Sequence, residues 1–462
     1  MMIVVYSAAS QESIQASLGE PEYSYYFVLR AFLPVLRSLA EVQVVSSPAE
    51  EVDPIFHQCR SRGEYCVFLS FCPPDQLNLE LECPTIPVFA WEFENIPNEM
   101  WDNNIATDWR YCLSRAGSAI THSTHTVANV QKNVRMGFPI VSAPAPVWDH
   151  YSSLPIQRRG SSTGQSFELN IDDGYLIDTD HLDLDKFSPN NRSRSHIPPP
   201  LSQSEVLTLG GVVYTAILNP RDGRKNWMDV FWTFCWAFKE QANATLVIKL
   251  TCYDPEQMID VLLYDLYKLS PFKCRVVAIS GYLSDRDYEK LAASSSYAVN
   301  ASRGEGQCLP LMEFMSCGVP AISPRHTALL DYVNDSNTFL VDSSLEPSHW
   351  PHDPRQYYRT LRHRIDWESL TNAYLDSFNT IVNTPHQYRK MSRKAVDDLK
   401  KYCSSAVVKS VLKAFLSNQE AVFRVYSSPV SDTVLQKFRE FWRRSPSSPH
   451  DIPHQESPLN QD

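Results

Sequence analysis

Twice along this chain, short apolar runs alternate with helix-length amphipathic segments, and no other pattern limits its folding so strongly. In the first stretch the runs are Ile3 to Tyr6, Val42 to Ser46, Val67 to Phe71, Pro87 to Trp91, Ala119 to Thr121 and Ile140 to Ala143. Helical periodicity falls between them over Tyr23 to Leu39 and Thr124 to Met136. From about residue 206 the pattern restarts, with runs at Val212 to Ile217, Thr245 to Leu250, Arg275 to Ile279, Tyr297 to Asn300, Ala321 to Ser323 and Thr338 to Val341. Its helices are expected at Trp227 to Glu240, Glu256 to Leu269, Ser284 to Ala293 and Cys308 to Ser316. Strands that alternate with helices pair in parallel and are covered on both faces. The expected fold class is therefore α/β, with two Rossmann-like doubly wound domains in tandem. Ligands of such sheets lie beyond the carboxyl ends of the strands, here in the cleft between the domains.

The domains expected are 1–150 and 206–345, joined by a Pro/Ser-rich, partly ordered linker or insertion, 151–205. That insertion contains Arg158-Arg159-Gly160-Ser161-Ser162, a strand-like Asp172 to Asp178 around a turn, and Pro198-Pro199-Pro200. Its acidic pairs Asp178/Asp180 and Asp183/Asp185 superficially match a metal-binding Asp-x-Asp, but their flanks are loop-like, and no metal site is expected. Residues 346–444 read as a helical region, with amphipathic helices at Leu370 to Val382, Tyr388 to Lys401 and Ala406 to Leu416. The Pro- and Ser-rich tail 445–462 reads as disordered.

Chemistry concentrates in Gly304-Glu305-Gly306-Gln307-Cys308-Leu309-Pro310-Leu311-Met312-Glu313, which runs on to Gly318-Val319-Pro320. A strand ends there in a Gly-flanked turn and a helix begins. Free N–H groups at such a helix start, over Gly306, Gln307, Cys308 and Leu309, offer a seat for phosphate. Glu305 at the turn and Glu313 about two helical turns on offer acceptors for sugar or ribose hydroxyls. A nucleotide-sugar needs both. A second loop, Asn219-Pro220-Arg221-Asp222-Gly223-Arg224-Lys225-Asn226-Trp227, places three cations before another helix, where they can balance charge on a leaving diphosphate.

The Glu305-to-Glu313 spacing, with its Met-Ser-Cys-Gly-Val-Pro exit, resembles the signature of the group 1 (family 4) retaining glycosyltransferases. That resemblance implies the GT-B arrangement of two Rossmann-like domains facing across a cleft. The N-terminal domain would face the acceptor, and 206–345 would bind the nucleotide-sugar. It also implies metal-independent transfer of a hexose-type sugar, with retention, from a nucleoside-diphosphate-sugar to a glycan, polysaccharide or glycolipid hydroxyl, without a cofactor. By the same likeness Glu305 would hold donor-sugar hydroxyls, Gly306 and Gln307 would present N–H groups, and Glu313 would bind the ribose. Lys225 matches the family lysine. The family's Gly-Arg-Leu reads Ala216-Ile217-Leu218 here, so its guanidinium comes from Arg221 or Arg224, or is absent. Where relatives carry a His after the fourth strand, this chain has Glu92, with Glu94 close by, as a candidate to orient a hydroxyl or assist acceptor deprotonation. Lys225, Arg224, Glu305 and Glu92 are thus the catalytic candidates. A catalytically idle nucleotide-sugar-binding scaffold and a nucleotide-sugar epimerase remain as alternatives.

Charge and cysteine usage bound the setting. A net charge of −11 argues against a nucleic-acid partner. Eleven cysteines without metal-type spacing fit a reducing cytoplasm. No apolar run has the length of a bilayer span, and Met2-Ile3-Val4-Val5-Tyr6 reads as a first strand rather than a signal peptide. Arg355, Arg359, Arg362 and Arg364, near Tyr357 and Tyr358 in the late helical region, are candidates for peripheral contact with the inner face of the cell membrane. A solvated helix face is the plainer alternative.

Overall fold

The computed structural model of the protein describes residues 1–20, 22–154, 166–191 and 197–426. Arg158 to Ser162 and the tail 445–462, both singled out in the sequence, lie outside the described residues. The chain forms two compact units, Met1–Val411 and Leu412–Asp462. The two large sheets, two smaller two-stranded ones and the candidate site lie in the first.

The N-terminal lobe comprises β1 (Met2–Ser7), α1 (Tyr23–Arg37), β2 (Glu41–Val44), α2 (Pro48–Ser61), β3 (Cys66–Phe71), β4 (Thr85–Phe89), α3 (Trp109–Ala116), β5 (Ala119–Thr121), α4 (Thr124–Asn133), β6 (Ile140–Ser142) and the short α5 (Trp148–Tyr151). Its six strands pair in parallel in the order β2-β1-β3-β4-β5-β6. Every residue of β3 is buried, as the continuous apolar run predicts for a strand covered on both faces.

The C-terminal lobe comprises β7 (Phe167–Ile171), β8 (Leu176–Asp178), β9 (Glu205–Leu209), β10 (Val212–Leu218), α6 (Trp227–Ala237), β11 (Ala244–Leu250), α7 (Glu256–Leu269), β12 (Arg275–Ser280), α8 (Asp285–Ser294), β13 (Tyr297–Val299), α9 (Leu309–Ser316), β14 (Ala321–Pro324) and β15 (Thr338–Val341). Its sheet runs β15-β14-β13-β10-β11-β12-β8. The edge strand β8 comes from the insertion and lies antiparallel to β12, while β7 pairs with β9 as a separate ribbon. Asp178 is ion-paired to Arg275 at 2.6 Å, which makes this acid part of the sheet edge.

After β15 the chain makes a hairpin of β16 (Ser343–Ser348) and β17 (Thr360–Ile365) where helix was expected, then α10 (Trp367–Asn383), α11 (Pro385–Cys403) and α12 (Ser405–Tyr426). The four arginines near Tyr357 therefore sit on the hairpin and its loop, not on a helix. Three of them pair with carboxylates: Arg355 with Asp353 (2.8 Å), Arg359 with Glu99 (2.6 Å) and Arg362 with Glu346 (2.8 Å). Carboxylates already answer these charges, so the patch gives no support to a membrane contact. Among the described residues no helix is long and apolar enough to cross a membrane.

Helix α10 belongs to the second core. Its Tyr374 packs edge-on against Tyr214 and donates to the Val230 carbonyl at 3.0 Å. Helix α11 returns toward the first lobe, where Tyr402 donates to the His122 carbonyl at 2.9 Å. Trp350, in the hairpin loop, is buried against Trp101 and donates to Asn95 at 3.2 Å. These contacts fix the relation of the lobes on either side of the cleft.

Candidate active site

The loop after β10 and the turn after β13 meet at the carboxyl ends of two adjacent strands. Asp222 caps a short helical turn by accepting from Arg224 N, which aims Arg224 and Lys225 at the β13 side. Lys225 Nζ lies 2.8 and 2.9 Å from the two Glu305 oxygens. Arg224 contacts three carboxylates: Glu305 at 3.3 Å, Asp222 at 2.8 Å and, across the cleft, Glu92 at 3.0 Å. It also donates to the Gly304 carbonyl at 2.5 Å. The backbone of Glu305 is pinned as well, with its N–H on Thr327 Oγ1 (3.0 Å) and its carbonyl accepting from Ala328 N (3.1 Å).

Burial alone would raise the Glu305 carboxyl, but Lys225 and Arg224 outweigh it and hold the pKa at about 2. Burial likewise opposes the charge on Arg224, yet Glu92, Asp222 and Glu305 raise its pKa well above the usual value. Both groups are ionised across the physiological range. A cavity of ≈ 20 Å³ lies beneath them, lined by Thr215, Lys225, Asn300, Glu305 and Cys308. That is room for one water, so a nucleotide would have to lie above the ion pairs, on the cleft side.

Two glycines are required by the approach of the lobes. A Cβ on Gly304 would come within 2.8 Å of the Glu92 carbonyl, and one on Gly306 within 2.7 Å of Ala90 Cβ. Gln307 accepts from Ala145 N at 2.5 Å, so its side chain fastens the turn to the N-terminal lobe. Cys308 sits in the left-handed region, φ 65°, just before α9, with Asn300 donating to its sulfur at 3.5 Å. Strain of this kind collects at functional turns. Leu309 opens α9.

Glu313 lies inside α9 and is not free. Tyr288 of α8 donates to it, and Tyr151 at the end of α5 is a second hydrogen-bond partner. Burial raises its pKa against both of these bonds. Arg221 points away, donating to the Asp254 carbonyl at 2.7 Å, and is about half exposed. Of the two arginines the loop offers, Arg224 is therefore the one at the clamp. Glu94 faces His363 at 3.8 Å rather than the clamp. Lys249 is buried at the end of β11, where it donates to the Leu250 and Gly281 carbonyls, and burial lowers its pKa to about 8. His122 is a buried structural histidine, hydrogen-bonded to the Ala143 carbonyl at 2.9 Å and held to about 4 by burial.

Sequence reasoning passed over Asp222, Thr327, Tyr151 and Tyr288. Asp222 stands inside the loop already singled out, and its N-cap position was legible there. The others reach the site from remote segments and carry no local signal.

The chain is similar over most of its length to solved structures of the GT-B fold, and its own fold is GT-B. HepE of Anabaena, solved with UDP and glucose, is 11% identical, with a TM-score of 0.51 over 90% of this chain and 99% of that one. Sucrose-phosphate synthase of Thermosynechococcus elongatus is 13% identical, with a TM-score of 0.50 over 91% and 100%. TarM of S. aureus is 10% identical with a TM-score of 0.46 over 76% of this chain, which spans only 55% of TarM. No curated protein matches the chain. Residues 262–350 match the family model for glycosyl transferases, group 1. The matched segment contains Glu305, Glu313 and Gly318-Val319-Pro320.

Proposed function

We propose that the protein transfers a hexose-type sugar from a nucleoside-diphosphate-sugar to a hydroxyl acceptor of a glycan, polysaccharide or glycolipid, with retention of configuration. The convergence of Lys225 and Arg224 on Glu305, at the ends of β10 and β13, carries this reading. On donor binding the two cations would exchange carboxylate oxygens for phosphate oxygens. They would then neutralise the diphosphate as the glycosidic bond breaks, in a site where preformed charges need little reorganisation. Glu305, released from part of its pairing, would accept from donor-sugar hydroxyls, and Glu313 from the ribose. The acceptor hydroxyl would attack the oxocarbenium-like sugar from the face the diphosphate leaves, passing its proton to a departing phosphate oxygen. Two side-chain cations at the leaving group support a reaction that proceeds without a divalent metal, so activity should survive a chelator.

A second reading, a scaffold that binds donor without turnover, is favoured by one observation. Each clamp cation is already matched to carboxylates, and the N-terminal lobe covers the turn. A thermal-shift series with UDP, GDP, ADP and CMP tests the donor site directly. A ligand at 100 times its Kd stabilises by about 2.7 kcal/mol, and Lys225→Ala should abolish that shift. HepE was solved with UDP and glucose, so UDP-glucose is the first donor to offer in a turnover assay. If no nucleotide gives a shift, the donor reading falls, and a shift without turnover on any acceptor would favour the scaffold.

A further inference from the structure

Glu92 reaches the clamp from the loop after β4 and meets the Nε edge of Arg224 at 3.0 Å. It is the one clamp carboxylate that belongs to the other lobe: Asp222 shares a turn with Arg224, and Glu305 lies on the same lobe. Its own segment also covers the seat, since Ala90 and the Glu92 carbonyl touch the positions of Gly306 and Gly304. The charges make the consequence plain. Glu92, Asp222 and Glu305 set three negative charges against the two positive ones of Arg224 and Lys225, a formal balance of −1. An arriving diphosphate would meet a cluster that already carries an excess of its own sign.

We propose that Glu92 is a positioning residue that holds Arg224 in the donor-free protein and sets donor affinity: its carboxylate occupies a guanidinium edge that a diphosphate takes, so a nucleoside diphosphate binds by displacing it. This rests on the donor reading of the clamp given above. Displacement is possible without dismantling the clamp because Glu92 comes from a separate loop, while Asp222 and Glu305 keep Arg224 and Lys225 aimed. The groups facing Glu92 are Arg224, Lys225 and Asp222 from the loop after β10, Glu305 from the turn after β13, and Tyr25 from α1. Burial raises the Glu92 carboxyl, opposed by Arg224 and assisted by Asp222 and Glu305. As pH falls toward that raised value, Glu92 takes up a proton, releases Arg224, and donor affinity rises.

Calorimetric titration of the full chain with UDP, GDP and ADP, beside Glu92→Gln and Lys225→Ala, tests this at about pH 6 and about pH 8. The glutamine variant should bind the responding nucleotide about tenfold tighter at the higher pH, the scale of effect when one close charge is removed. The wild type should gain on it at the lower pH, and because the nucleotide's own titration is common to both proteins, the difference reports Glu92. Glu92→Asp keeps the charge one methylene back and guards against a folding defect in the glutamine variant; it should also bind tighter than wild type. Equal or weaker binding by both Glu92 variants would overturn the role assigned to Glu92 and leave the donor site standing. Absence of binding in every protein would remove the donor reading, and this role with it.

Discussion

Glu305 and Glu313 stand eight residues apart on one turn-and-helix segment, and they are held by opposite means. Glu305 lies against two cations and is driven far below the ordinary carboxylate range. Glu313 lies against two tyrosines, and burial raises its carboxyl above the ordinary value against the hydrogen bonds they make. Residue type and spacing place each carboxylate, but its burial and its partners decide which way its pKa moves.

The largest test of this contrast is Glu305→Ala. Removing it leaves Lys225 and Arg224 short of a buried counter-charge, which should cost about 3–5 kcal/mol of unfolding free energy in a denaturant titration. Acid probes the same pair. Because the folded Glu305 pKa lies near 2, below its ordinary 4.5, its contribution is present above 4.5 and lost as pH falls from there toward 2. That contribution is about 3 kcal/mol, and Glu305→Gln should flatten this part of the stability profile. A profile identical to wild type would deny the ion pair its part.

Next in size, Lys225→Ala should lower kcat on the order of 10²-fold, the usual scale for one lost charge-stabilising contact, with release of the nucleoside diphosphate as the assay. Unchanged turnover would take Lys225 out of the clamp. At the tyrosine end the effect should be smaller and of the other sign. Glu313→Gln keeps an acceptor for one tyrosine and should change stability by no more than about 1 kcal/mol. The folded Glu313 pKa is raised, so its contribution is full below the ordinary value and falls away as pH rises through the folded one. The glutamine variant should therefore lose that high-side decline, where Glu305→Gln loses the acid-side one. Smallest of all, Arg221→Ala should change nucleotide affinity less than about threefold, because its half-exposed side chain is turned to Asp254. A large loss there would make Arg221 the clamp arginine instead of Arg224.

Much of this was readable in the sequence. The strands β5 and β15 and the helix α7 fall at the residues their periodicity marks, and the other apolar runs are displaced by only a residue or a few, while the helix read over Ala406 to Leu416 continues to Tyr426. Helix α2 escaped because Pro54 and a polar surface mask its stripe of Val52, Phe56 and Cys59. The β16–β17 hairpin escaped because Ser343–Ser348 and Thr360–Ile365 lack apolar alternation and are held partly by the Glu346–Arg362 pair. At the site, Lys225, Arg224 and Glu305 come from two local patterns that each carry a turn and a helix start. Neither pattern says that Glu92 lies on Arg224, or that Tyr288 and Tyr151 close on Glu313.

The sequence by itself determined the main alternation of strands and helices, the two loops that bear charge, and the Gly-flanked turn. Those features rest on φ/ψ preference, side-chain periodicity and capping, which act over a few residues. Tertiary structure alone decided which arginine faces the clamp, which carboxylate meets cations and which meets tyrosines, and how far the N-terminal lobe covers the seat. These depend on two separately packed cores and on the contacts that set one against the other, and no local rule reaches across that distance.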